Sequence, residues 1–246
     1  MLRNFAVPLA AAVCVAALAA PVLAADKIPA AVAAAVADAA RPATDSARDA
    51  GRKPAETIAF AGVKPGDTVA ELSPGGGYFT RILAKVVGPK GHVYAINSVD
   101  RFAGAVKTLA ADPAYANVTA PVMPYAAIKL DAPVDVVWTS ENYHDMHGAP
   151  GADLAPMNKA IFDALKPGGT YFVLDHAAGP GATADEMRTL HRIDPAIVKK
   201  EVLAAGFVLA GESTILKRAD NYTLTSHDPL VHDKTDQFVL KFRRPK

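Results

Sequence analysis

The 246-residue chain has a single cysteine, Cys14, inside an apolar N-terminal run. Nothing beyond that run can form a disulfide or supply a thiolate cluster for zinc. Neither sign of charge is in excess: 26 Lys and Arg face 25 Asp and Glu, and no long basic block occurs. Phosphate backbones demand clustered positive charge, so nucleic acid is excluded as the main partner. The chain also lacks a G-x-x-x-x-G-K-[ST] phosphate loop, a G-x-S-x-G nucleophile elbow and an H-E-x-x-H zinc motif. Tryptophan occurs once, as Trp138 in an apolar run, and reads as core.

The N-terminus is the first thing that is present. Arg3 forms a short basic region, Phe5 to Ala20 is apolar, and Val22-Leu23-Ala24 offers small residues before a cleavage point. This pattern predicts a secretory signal peptide over residues 1–24, with an apolar core shorter than the roughly 20 residues a membrane span needs. The mature chain is expected to be periplasmic or secreted, without membrane contact after cleavage. Residues 25–53 read as an N-terminal helical arm and linker. Ile28, Val32 and Val36 recur at helical spacing before Pro42, and Ala43 to Lys53 is a polar connection. Residues 54–246 read as one α/β domain.

The domain is organised around Asp67–Ala84, DTVAELSPGGGYFTRILA. Thr68 to Leu72 is a short strand, Gly75-Gly76-Gly77 a sharp turn, and Phe79, Ile82 and Leu83 begin a helix. A strand entering a helix through glycines leaves free N–H groups and room for a ligand, and Glu71 supplies an acceptor at the strand end. Further strands are predicted over His92–Ile96, Val118–Met123, Val134–Thr139, Thr170–Leu174, Phe207–Leu216 and Gln237–Phe242, with helices between most of them. Alternation of this kind implies a mostly parallel sheet with helices on both faces.

Ligands in such sheets sit beyond the carboxyl ends of the strands. That rule selects Glu71 to Tyr78, Asn97-Ser98, Ser140 to His147, and Asp175-His176. In the third of these, His144 is placed to take a proton from a substrate, with Asp145 or Glu141 orienting it. His144, Asp145, His147, Asp175, His176, His191 and Asp194 carry donor atoms for a divalent ion, but their loose spacing assigns no metal site. His191 reads as a cleft-facing or helix-surface residue.

Glu71-x-Ser73-x-Gly75-x-Gly77 resembles the E/D-x-G-x-G-x-G signature of class I S-adenosylmethionine-dependent methyltransferases, with Ser73 at the first glycine. The dinucleotide fingerprint G-x-G-x-x-G fits less well, because Thr80 stands at its third glycine. The resemblance extends through VYAIN, VDVVWTSENYHD, LKPGGTYFVLD and the terminal strand pair. With HRID it is similar to exported bacterial proteins of that family. It implies a Rossmann-like fold: a seven-stranded, mostly parallel sheet with helices on both faces and a C-terminal antiparallel strand. It also implies S-adenosyl-L-methionine over Gly75, Gly76 and Gly77, with its amino acid part near Glu71 and its ribose near Asn97, where the family commonly has an acid. Ser73, Tyr78 and Glu141 complete the cofactor contacts, and His144 and Asp145 are the catalytic candidates. The function implied is methyl transfer to an O or N atom of a small molecule. The alternative is a non-catalytic periplasmic binding protein that keeps the fold. The oligomeric state is not legible.

Overall fold

The computed structural model describes residues 27–147 and 152–246. The signal peptide expected over residues 1–24 lies outside the described residues. Among those described, no helix is long and apolar enough to cross a membrane.

Strands β1 (Thr68–Leu72), β2 (His92–Ile96), β3 (Val118–Thr119), β4 (Val134–Ser140), β5 (Leu165–His176), β6 (Val208–Ser213) and β7 (Gln237–Arg243) form one sheet in the order β3-β2-β1-β4-β5-β7-β6. β1 to β5 pair in parallel, and β7 runs antiparallel between β5 and β6, with Thr170 opposite Arg243 and His176 opposite Gln237. The expected third strand is short: two residues pair, and Val122 adds only an isolated bridge to Asn97. Pro121 interrupts the run, and without an N–H it cannot continue the ladder.

The helices are α1 (Ala30–Val36), α2 (Ala43–Ser46), α3 (Asp49–Arg52), α4 (Pro54–Ala61), α5 (Tyr78–Val87), α6 (Gly104–Ala110), α7 (Tyr143–Met146), α8 (Ala155–Ala164), α9 (Ala184–Leu190) and α10 (Pro195–Ala204). Strand alternation divides the core between the two faces. Val69, Val136, Trp138 and Phe172 meet α1, α4, α5 and α6 on one side. Ala70, Val137, Tyr171 and Phe242 meet α8 and α10 on the other. Trp138 stacks on Phe172 with ring centroids 4.0 Å apart, so it is core as its sequence setting suggests. α10 starts at Asp194-Pro195, where the Asp194 carboxylate accepts from the Ala196 N–H at 2.7 Å and Pro195 takes the first helical position.

β1 lies between β2 and β4, so strand order reverses there. The crevice beyond its carboxyl end is the topological switch point where ligands bind in open α/β sheets.

Candidate functional site

At that point two neighbouring strands end in left-handed residues. Ser73 follows β1 with φ 49°, and Glu141 follows β4 with φ 59°. Such backbone is uncommon for residues other than glycine and concentrates at functional sites. Asn142 joins the two ends, its Nδ2 donating to the Ser73 carbonyl at 3.0 Å and the Ser140 carbonyl at 2.5 Å. The Ser73 hydroxyl lies 2.6 Å from that of Tyr125, in the loop after β3. Gly75 and Gly77 adopt φ 57° and 83°. A Cβ built on Gly75 or Gly76 would meet nothing within 4 Å, so the space over the turn is open.

The period of two in β1 turns Glu71 under α5 rather than into that space. It is buried, and Thr80 Oγ1 donates to its Oε2 at 2.6 Å. Thr80, which spoils the dinucleotide fingerprint, is thus the partner that a third glycine could not be. Burial pushes the Glu71 carboxyl up to about 7, against the Thr80 hydrogen bond and the Arg52 and Arg81 charges. Asn97, at the end of β2, is buried with its Nδ2 unpartnered.

The Glu71 shift has a consequence for stability. The folded chain keeps the proton up to about pH 7, whereas the ordinary value is 4.5. Stability is therefore fully present below pH 4.5 and is lost as pH rises through 7, by about 3 kcal/mol. Urea unfolding at pH 5 and pH 8 should show this loss in the parent relative to Glu71→Gln. Equal pH dependence in the two proteins would mean that Glu71 is ionised in the native state.

The arm expected to be a polar connection carries α2 and α3 onto the glycine turn. Tyr78 Oη donates to Asp49 at 2.6 Å, and Asp49 is also held by Arg41 at 2.7 Å. Arg81, one turn into α5, pairs with Asp45 at 2.9 Å. The Arg52 guanidinium lies 4.5 Å from the Tyr78 ring centroid and 4.9 Å from that of Phe79, and pairs with Glu141 at 2.5 Å. Gln237 donates to the other Glu141 oxygen at 2.9 Å. Burial works against the charge on Glu141, but Arg52 prevails and lowers its pKa. Glu141, read as a cofactor contact, is in this structure a tie between arm and sheet.

The loop after β4 forms a second polar centre. His144 Nδ1 lies 2.7 Å from Asp175 Oδ1, and its backbone N–H donates to the other Asp175 oxygen at 2.9 Å. Asp175 is wholly buried and also accepts from the His176 N–H at 2.7 Å. Burial opposes the imidazolium, but Asp175 outweighs it and raises the His144 pKa. His144 Nε2 is buried without a hydrogen-bond partner and faces Asp145 Oδ1 at 3.4 Å. Asp145 Oδ1 in turn lies 3.1 Å from His191 Nδ1, and the His191 ring meets that of His227 edge to face at 4.4 Å.

Of the seven scattered donors, the fold gathers His144, Asp145 and His191. His147 turns to Glu201, His176 to Thr235 and Gln237, Asp194 caps α10, and Asp175 stands behind His144.

No protein-family profile and no curated protein matches the chain. A S-adenosylmethionine-dependent methyltransferase from Aquifex aeolicus superposes with a TM-score of 0.56 at 18% identity, over 78% of this chain and 88% of that one. The glycopeptide N-methyltransferase MtfA, solved with S-adenosylmethionine, does so at 0.56 and 16% identity over 81% and 87%. The fold is that of the class I S-adenosylmethionine-dependent methyltransferases. In this methyltransferase fold the glycine turn, the end of β2 and the loop after β4 share one edge of the sheet, as the sequence resemblance implies.

Two parts of the site escaped sequence reasoning, and each had a signal. Arg41, Asp45, Arg48, Asp49 and Arg52 recur at three- and four-residue steps, a charged helical face. α9, which presents His191 at its end, starts with a T-x-x-E capping box, Thr183 and Glu186.

Proposed function

We propose that the protein is a S-adenosylmethionine-dependent methyltransferase acting on an O or N atom of a small-molecule acceptor. The observation that carries this reading is the open space over Gly75 and Gly76 at the switch point, with the orphaned Asn97 Nδ2 at the end of the neighbouring strand. A buried amide donor without a partner is costly, and a ribose hydroxyl would satisfy it. The free N–H groups of the first turn of α5 suit a carboxylate.

When bound, S-adenosylmethionine supplies a methyl group already activated on a sulfonium. The chain need only position an acceptor, exclude water and handle a proton. Asp175 holds His144 at Nδ1, which leaves Nε2 to accept the acceptor's proton beside Asp145. A cavity of about 160 Å³ opens at α9, lined by Met187, Leu190, Arg192 and Tyr222 among others. The N-terminal signal pattern supports an exported, periplasmic or secreted protein.

The test is a panel of small phenols, alcohols and amines incubated with the protein and S-adenosylmethionine. Release of S-adenosylhomocysteine that depends on one acceptor class is the expected result. Tight cofactor binding without release for any acceptor would instead favour a binding protein.

A further inference from the structure

His144, Asp145 and His191 have a geometry that proton transfer alone does not require. Their donor atoms all lie within 4.8 Å of one another, with Asp145 Oδ1 at 3.4 Å from His144 Nε2 and 3.1 Å from His191 Nδ1. Tetrahedral zinc, bound by nitrogen and oxygen at about 2.0–2.2 Å, places its ligand atoms about 3.3 Å apart. The independent observation is His144 Nε2. The side chain is 4% exposed, and this nitrogen is buried, without a hydrogen-bond partner and turned toward the other two donors. Leaving a buried imidazole nitrogen unsatisfied costs free energy that a metal ion would recover.

The surroundings match a metal ligand's support. Asp175 grips His144 at Nδ1, fixing the tautomer and leaving the Nε2 lone pair for the ion, and it makes the imidazole a better donor. His191 caps α9 at φ 49°, and its ring is braced edge to face by His227. Side chains of Asp145 and His191 are 50% and 38% exposed, so an ion has an entry path and the set is open on the solvent side. His227 lies outside the donor set.

We infer that His144, Asp145 and His191 form a binding site for one divalent transition ion of the zinc type, with an open position that takes an oxygen ligand. Two imidazoles and one carboxylate form a donor set for borderline ions rather than for calcium or magnesium, which prefer all-oxygen shells. The ion uses the same His144 lone pair as proton acceptance does. In the loaded protein, coordination would acidify a bound hydroxyl, and its proton would leave to water. Ion binding itself does not depend on methyl transfer or on cofactor.

The test is calorimetric titration of the chelator-stripped full chain with Zn²⁺ alone, alongside Asp145→Asn, His191→Asn and the control His92→Ala. Asparagine tolerates the left-handed backbone at position 191. His144→Ala is avoided, because it would strand the Asp175 carboxylate in the core. The expected result is one ion per chain with micromolar or tighter affinity, weakened about 30-fold or more in both asparagine variants and unchanged in His92→Ala. Co²⁺ should give visible d–d bands that His191→Asn abolishes. Zn²⁺ affinity equal in the parent and in an Asp145→Asn/His191→Asn double variant would overturn the inference. So would binding lost equally in His92→Ala, or no saturable binding by the folded parent.

Discussion

Arg52→Ala should destabilise the protein by about 3 kcal/mol, among the largest effects of any single change outside the hydrophobic core. Arg52 is 7% exposed, and its guanidinium is the cation facing Glu141, whose side chain is itself 17% exposed. Removing it leaves a mostly buried carboxylate whose remaining hydrogen-bond donor among the described residues is the Gln237 amide. The cation–π contacts over Tyr78 and Phe79 are lost as well, worth about 0.5–1 kcal/mol each. The effect should be strongly coupled. With Glu141→Gln already in place no charge is stranded, and the added cost of Arg52→Ala should fall below about 1.5 kcal/mol. Urea denaturation of the four proteins in the cycle measures this. Additive losses would mean that the pair is solvated and that the arm is not fastened through it.

The second large effect is on binding. Gly76→Val should leave unfolding free energy within about 0.5 kcal/mol of the parent while weakening S-adenosylmethionine at least about 100-fold. Position 76 permits this separation because its φ lies outside the left-handed range and, apart from its chain neighbours, nothing stands within 4 Å of an added Cβ. The added side chain therefore projects into the open space over the turn. Gly75→Val would be a poorer test, since φ 57° strains a β-branched residue and mixes folding with binding. Unchanged affinity in a folded Gly76→Val protein would place the cofactor elsewhere.

The centre of the sheet is legible because β1, β4 and most of β5 are buried on both faces. Short apolar runs such as Val134–Thr139, punctuated by glycine and proline turns, have few other readings. β3 is shorter than its apolar run VTAPVM because Pro121 stops the ladder inside it. The helical arm is less legible for a different reason. α2 and α3 are single turns of four residues, held by a hydrogen bond from Tyr78 and by ion pairs to Arg81 and Glu141 that lie far away in sequence. No local pattern encodes such a partner. Glu71 shows the same limit at one residue. Its place at the strand end was clear, but whether it faces the cleft or α5 is decided by pleat and by Thr80. His144 and Asp145 sit in the polar loop where the sequence put them, whereas His191 joins them only through the fold, from 46 residues along the chain.

The central claim, a S-adenosylmethionine site over Gly75–Gly77, is tested most directly by calorimetric titration with S-adenosylmethionine, S-adenosylhomocysteine and NAD. Micromolar binding of the first two, loss of both in Gly76→Val, and no binding of NAD are the expected results. A folded protein that binds neither up to millimolar concentration, or that prefers NAD, would contradict it.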